Sequence, residues 1–408
     1  SGGKQNTVSY FPQAYSDGTY LHVRSSMTAW EYSSNWEIKD ATLIQEALTQ
    51  INAARPDLEA SYFDKNGDGF VDNLLVIPLL AGKNYDKQNF ASHAGTIYDK
   101  YLGAANGTRS IGHYTVVDGG MDGGMDSFSA SVSAHEYLHT LGAADLYRYA
   151  EGAGKPVGTW DLMSTGGGWA WPLAVTRMRL GWTDVSTVNL DALEESYVLY
   201  SPLAANASGG SKQQALIVKP SISSTEYFVV EYRQRKPSSP TLGYDDYVDS
   251  SGLIIYRVNE SLKNVGNKDG SDYVYVFRPG ETSITASAGD VTRAALSAGT
   301  FVTQNGKSYN SSFGSLDLSQ GITDGAICYS DGTNSGLRIT ATDQAKDNVT
   351  FKIEYNGGDE GQLWNAVTNA DGTAPFTSVS SPGTSMTSDG QNVYVTSNNS
   401  ANGDNQTI

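Results

Sequence analysis

His135-Glu136-Tyr137-Leu138-His139-Thr140-Leu141-Gly142-Ala143-Ala144-Asp145 decides how this chain is read. Two histidines four apart on a helix lie one above the other on a single face, so both imidazoles reach the same point. Glu136 then stands beside whatever water occupies the open position of a metal bound there. Gly142 ends or bends the helix, and Asp145 just past it can return as a third ligand. Glu151 is a competing carboxylate nearby. The segment 127–134 upstream is small and mildly apolar, as suits a helix packed beneath an active site. Downstream, Trp160-Asp161-Leu162-Met163-Ser164 runs into glycines, a pattern expected of a methionine turn beneath the metal. Taken alone, Met163 reads as core packing, and a bare pair of helical histidines can be structural. The surrounding features favour the metal site.

The chain has 408 residues and a net charge of −17. That length suggests two or three domains. The acidic balance, with no basic stripe, argues against a nucleic-acid partner. Cys328 is the sole cysteine, which excludes an intramolecular disulfide and any thiolate cluster. It reads as a small buried apolar residue. No apolar run is long enough for a transmembrane helix. The start at Ser1 without a signal peptide is expected of a processed or trimmed molecule.

Along the chain, Asp40 is a reasonable N-cap for a helix to about Ile51, whose apolar face carries Leu43, Ile44, Ala47, Leu48 and Ile51. The run from Leu74 to Leu80 suits a buried strand, Tyr114–Val117 another, and Val175–Leu180 a closing helix. After Thr183 short β-type segments separated by Gly, Ser, Asn and Pro take over, which reads as a β-sandwich. The expected organisation is an α+β catalytic domain over 1–183, an all-β sandwich over 184–356, and a Ser/Thr/Asn/Gly-rich linker or further β module over 357–408.

Asp64-Lys65-Asn66-Gly67-Asp68-Gly69-Phe70-Val71-Asp72 offers oxygens from Asp64, Asn66, Asp68 and Asp72, plus the Phe70 carbonyl. That spacing suits a structural Ca²⁺, with Gly69 at the sharp turn. It departs from an EF-hand, since Leu75 stands where a bidentate Glu would be. The bland alternative is an ion-free Asx turn. The glycine-rich acidic stretch 118–126 reads as a flexible loop. His93, His113, Tyr147 and Tyr149 are weaker candidates for stabilising an oxyanion, while His22 looks structural.

The segments HEYLHTLGAADLY, GTWDLMSTGGG and Arg177-Met178-Arg179-Leu180-Gly181-Trp182 together resemble the immune-inhibitor-A-like (M6) family of secreted bacterial zinc metalloproteases. The resemblance runs over roughly residues 8 to 355, strongest around the histidine helix. It implies a zincin or metzincin-like catalytic domain with zinc held by His135, His139 and Asp145. It also implies a secreted location, with surface attachment through segments outside this chain. Since the family's first strand lies near the position where Ser1 falls, part of the catalytic sheet is expected to lie outside this sequence.

The residues thus point to a zinc endopeptidase acting on extracellular or host proteins, with Glu136 as general base, protein or peptide as substrate, and structural Ca²⁺. In a rival reading the chain is an adhesion protein whose sandwich binds a surface glycan or protein and whose zinc domain is inactive or regulatory. An aminopeptidase is a second enzymatic rival.

Overall fold

The computed structural model describes residues 23–78, 91–103, 107–119, 130–150, 152–165, 170–208 and 212–357, the last apart from 221–222, 224, 236–244, 246–247, 269, 282–288 and 305. Five short strands between 364 and 407 are described as well. The glycine-rich stretch from 120 onward, Glu151 and His22 lie outside the described residues. The chain divides into two compact units. One comprises 5–145 with 161–172, the other 146–160 with 173–408.

In the first unit, α1 (Ala29–Ser33) opens with a capping box between Thr28 and Glu31. Next come α2 (Trp36–Ala54), β1 (Leu74–Val76), β2 (His93–Leu102), β3 (Arg109–Val116), α3 (Ala130–Thr140) and α4 (Leu162–Thr165). The sheet has the order β1-β3-β2, parallel between β1 and β3 and antiparallel between β3 and β2. Ile44 and Leu48 of α2 pack with Ile111, Tyr114 and Val116 of β3 and with Val71 to form the core. His113 is the exposed residue of an otherwise covered β3, so it faces away from that core.

Asp40 is not an N-cap. The helix starts at Trp36, which places Asp40 in its second turn and 3% exposed. Three donors converge on its carboxylate: Tyr32 Oη at 2.8 Å, Tyr114 Oη at 2.8 Å and His93 Nε2 at 2.6 Å. Gly95 makes room for this contact, because a Cβ there would stand 2.5 Å from the Tyr114 ring. The other ring nitrogen of His93 faces the Ala91 carbonyl at 2.8 Å. Both nitrogens thus meet acceptors, which suits the doubly protonated imidazolium. Burial by itself favours neutral His93, but the bonds to Asp40 and Ala91 outweigh it and raise the pKa. Burial of the rings, and after it the same carboxylate, raises the pKa of Tyr32 and Tyr114 and keeps both protonated.

The second unit begins its regular structure with α5 (Ala174–Arg179) and β4 (Ser186–Thr187), followed by β5 (Tyr197–Tyr200), α6 (Pro202–Ala207), β6 (Ala215–Val218), β7 (Glu226–Arg233), β8 (Gly252–Asn259) and β9 (Val274–Val276). A two-residue hairpin of β10 (Thr303–Gln304) and β11 (Lys307–Ser308) precedes β12 (Ser312–Gly314), β13 (Leu337–Gln344) and β14 (Asn348–Tyr355). One sheet has the order β4-β6-β7-β8-β9, another β12-β13-β14-β5. Phe228, Val230 and Tyr232 from the first share a core with Phe313, Ile339 and Phe351 from the second. The tail is more than a linker. It forms a five-stranded antiparallel sheet of β15 (Trp364–Ala366), β16 (Phe376–Ser378), β17 (Thr384–Ser388), β18 (Val393–Ser397) and β19 (Gln406–Thr407).

The observed division differs from a boundary at 183, and buried charge explains why. Fully buried Glu231 on β7 accepts from Arg177 Nη2 (3.0 Å), the Ala174 amide (2.9 Å) and Tyr256 Oη (3.0 Å), which fastens α5 to the β-sheet. Arg278 donates to the Lys155 and Pro156 carbonyls, and Arg233 to the Trp160 carbonyl, which fastens 146–160 likewise. Such donors leave no trace in an apolar pattern.

Replacing Asp40 by Ala strands two buried hydroxyls and a half-buried imidazolium, and is expected to cost about 3–5 kcal/mol in a denaturant titration. The raised pKa of His93 means its contribution is complete below the unfolded-state value of about 6.5 and fades as pH rises through the folded-state value. Stability of the wild type should therefore fall relative to His93→Asn across that interval. Parallel pH profiles would refute the imidazolium assignment.

Candidate metal centre

Alpha3 ends in a Schellman turn. The Gly142 amide donates to the His139 carbonyl (2.9 Å) and the Ala143 amide to the Leu138 carbonyl (3.0 Å). Gly142 adopts φ +91, a left-handed conformation that glycine takes without steric penalty. The reversal carries Asp145 back over the helix. Its Oδ1 lies 3.2 Å from His135 Nε2 and 3.2 Å from His139 Nε2.

Each histidine is oriented from behind. His135 Nδ1 meets the Leu162 carbonyl at 2.8 Å, and His139 Nδ1 the Ala143 carbonyl at 2.8 Å. A carbonyl only accepts, so both Nδ1 atoms carry the proton and both Nε2 atoms can present a lone pair to a metal. The rings are nearly perpendicular, at 88°, with centroids 4.9 Å apart. The carbonyl behind His135 belongs to the turn that also buries Met163 completely, and the Met163 amide is pinned to Asp161 Oδ1 at 2.6 Å. The sequence marks Met163 in this turn. The orienting atom is the backbone oxygen of its neighbour Leu162, which no side-chain pattern announces.

The donor set fits a tetrahedral divalent metal. Ligand atoms about 2.0–2.1 Å from a tetrahedral zinc stand roughly 3.3–3.4 Å from one another, and the two nitrogen–oxygen separations here are 3.2 Å. Among the described residues, the group of metal-binding type is His135, Glu136 and His139, with one ligand atom from each lying within 4.8 Å of the others.

Glu136 is 7% exposed, and its side chain makes no hydrogen bond to a described residue. Burial raises its pKa; the nearby His135 and His139 partly oppose this, and Asp145 adds to it. Burial disfavours charge on both histidines, yet the Asp145 carboxylate facing them raises the pKa of each. The pattern is that of a site poised to receive a cation: two oriented imidazoles, one carboxylate and a spare carboxylate beside them.

The other expected residues fare differently. Tyr147 falls in the second unit and is 37% exposed, its ring against Tyr149 at 5.3 Å. The loop 64–72 folds around Asp64, whose oxygens accept from Gly67 N (2.8 Å), Asp68 N (3.1 Å), Gly69 N (3.1 Å) and Arg109 Nε (2.5 Å). Four donors fill the roughly four acceptor positions of a carboxylate. Asn66 bonds to Asp68, the Phe70 amide to Asp68 and the Lys65 amide to Asp72, so the turn closes on its own groups. With a guanidinium already on Asp64, this geometry gives no support to calcium there, a difference from the expectation of Ca²⁺ at Asp64, Asn66, Asp68, Phe70 and Asp72. The spacing signal is common to both outcomes, and Arg109 lies too far along the chain to enter it.

Two relatives match part of the chain, both named pre-pro-metalloprotease PrtV, from two strains of Vibrio cholerae. Each is 30% identical over 167 residues, covering 35% of this chain and 18% of the relative. The chain is thus distantly similar to a metalloprotease over about a third of its length. No protein-family model and no solved structure matches.

If Arg109 closes the 64–72 loop, EGTA should leave the melting temperature unchanged, whereas Arg109→Ala should lower stability by about 1–3 kcal/mol. A calcium-dependent rise in melting temperature would reverse that assignment.

Proposed function

We propose that this protein is a zinc-dependent endopeptidase of the immune-inhibitor-A-like (M6) type, with a zincin-like catalytic domain. The observation that carries this reading is the meeting of His135 Nε2, His139 Nε2 and Asp145 Oδ1 at separations of 3.2 Å. The partial similarity to a metalloprotease adds to it. His135, His139 and Asp145 are the proposed ligands. A zinc ion held by these residues would supply Lewis acidity toward a water and a scissile carbonyl.

The chain's own residues do the rest. The Leu162 and Ala143 carbonyls keep the two imidazoles in the required tautomer. Glu136, next to His135 in sequence and buried beside the ligands, accepts a proton from the attacking water and delivers it to the leaving amine. The substrate class is protein or peptide. No described helix is long and apolar enough to cross a membrane, and the proposed location is extracellular, on the strength of the acidic composition and the family resemblance.

Casein digestion, blocked by a zinc chelator and restored by zinc, should give internal cuts. Terminal trimming alone would point to an aminopeptidase, and no digestion to the adhesion reading. Glu136→Gln should lower kcat about 10²–10⁴-fold with metal content by elemental analysis near that of the wild type. Asp145→Ala should lower metal occupancy, and unchanged occupancy would remove it from the ligand set.

A further inference from the structure

The chain leaves the first unit immediately after Asp145 and rejoins it at Asp161. The excursion between them, 146–160, belongs to the second unit. It begins one residue past a proposed metal ligand and ends two residues before Leu162, whose carbonyl orients His135.

Buried groups of the second unit hold both ends of the excursion. At the exit, the Leu146 carbonyl accepts from Asn267 Nδ2 at 3.1 Å. Asn267 is itself locked by Val274, whose amide donates to Oδ1 at 3.0 Å and whose carbonyl accepts from Nδ2 at 2.8 Å. Two residues on, Arg148 sets its guanidinium on Asp272, Nε at 3.0 Å and Nη2 at 2.5 Å, and gives Nη1 to the Ala153 carbonyl at 2.6 Å. Both side chains of that pair are 3% exposed, and a buried arginine–carboxylate fork fixes direction as well as distance. At the return, Trp160 Nε1 donates to the Val291 carbonyl at 2.7 Å, and the Trp160 carbonyl accepts from Arg233 Nη1 at 2.7 Å. Trp160 and Arg233 are fully buried.

Chain geometry carries these anchors to the centre. Consecutive Cα atoms stand about 3.8 Å apart across a trans peptide, so a chain held at Leu146 leaves Asp145 little beyond rotation of its own bonds. The helix end does not supply this restraint alone. The turn at Gly142 fixes Ala143 through its amide and its carbonyl, but from Ala143 to Leu146 the chain has no regular secondary structure. On the other side, Asp161 follows Trp160 directly and accepts from the Met163 amide at 2.6 Å, so Leu162 lies between two fixed neighbours. Resting on the metal reading of His135, His139 and Asp145, we propose that the second unit is a positioning device for that centre. Arg148 with Asp272, and Trp160 with Val291 and Arg233, hold the ends of the excursion and through them Asp145 and the Leu162 carbonyl. Arg148 and Asp272 act through the backbone and are positioning residues. Zinc affinity is thereby tied to the second unit.

The test measures zinc affinity of the full chain by competition with a chromophoric chelator, with no substrate present. Arg148→Gln removes the fork and should weaken zinc by about tenfold to a hundredfold, the range for altering groups that orient ligands. Trp160→Phe keeps an aromatic ring and loses the bond to Val291. It should weaken zinc by a smaller factor, and it decides the matter if Arg148→Gln fails to fold. Phe351→Leu alters the core of the second unit, which contains no residue of the excursion; it should lower the melting temperature and leave zinc affinity unchanged. Unchanged affinity in folded Arg148→Gln, or in Trp160→Phe where that variant decides, overturns the inference while a zinc-binding wild type upholds the metal reading. A loss in Phe351→Leu as large as in Arg148→Gln also overturns it, since general stability would then account for the effect. A wild type that binds no zinc overturns the metal reading, and the inference with it.

Discussion

The reversal of the chain at Gly142 is the constraint on which the candidate centre depends. A helix can bring two histidines to one face, but a third ligand close behind them in sequence must come back against the helix direction. The left-handed Gly142, its amide bonded to the His139 carbonyl and the Ala143 amide bonded to the Leu138 carbonyl, makes that turn two residues past the helix end. The same turn aims the Ala143 carbonyl at His139 Nδ1. One glycine conformation thus sets the position of Asp145 and the tautomer of a histidine together. A side chain at 142 would meet no steric obstacle in space, so its cost there lies in the backbone itself.

Beneath the helix, charge is buried where an apolar core would ordinarily be expected. Asp40 draws Tyr32, Tyr114 and His93 together, joining α1, α2, β2 and β3 through one carboxylate. The second unit uses the same device more often, with Glu231, Asp245 and Asp272 each gripped by arginine. Charges so placed specify their partners, because a misplaced neighbour leaves a buried ion uncompensated. Arg257 is held more loosely, with Glu226 4.0 Å away and occupied by Asn259 and Ser330.

Much of the architecture could be read from apolar periodicity. The second helix, β3, and the strands β5, β6, β7, β8 and β14 all fall where runs of Val, Ile, Leu, Tyr and Phe mark them. Beta13 escaped because Leu337-Arg338-Ile339-Thr340-Ala341-Thr342 alternates with polar and small residues, and its outward positions face solvent. The unit boundary escaped for a different reason: it is written in side-chain bonds between residues far apart, such as Arg177 with Glu231, which no local window contains.

By itself the sequence determined the histidine pair, the adjacent glutamate, the glycine and the aspartate, because helical spacing and glycine's backbone freedom act over a few residues. It also determined the acidic balance and the lone cysteine. Only the tertiary structure decided that Asp40 is a buried hub, that Arg109 reaches Asp64, that Leu162 orients His135 through its carbonyl, and that Arg177 reaches Glu231. Each of these is a contact between distant segments. Its free energy depends on burial and direction, which the fold sets and a linear pattern cannot carry.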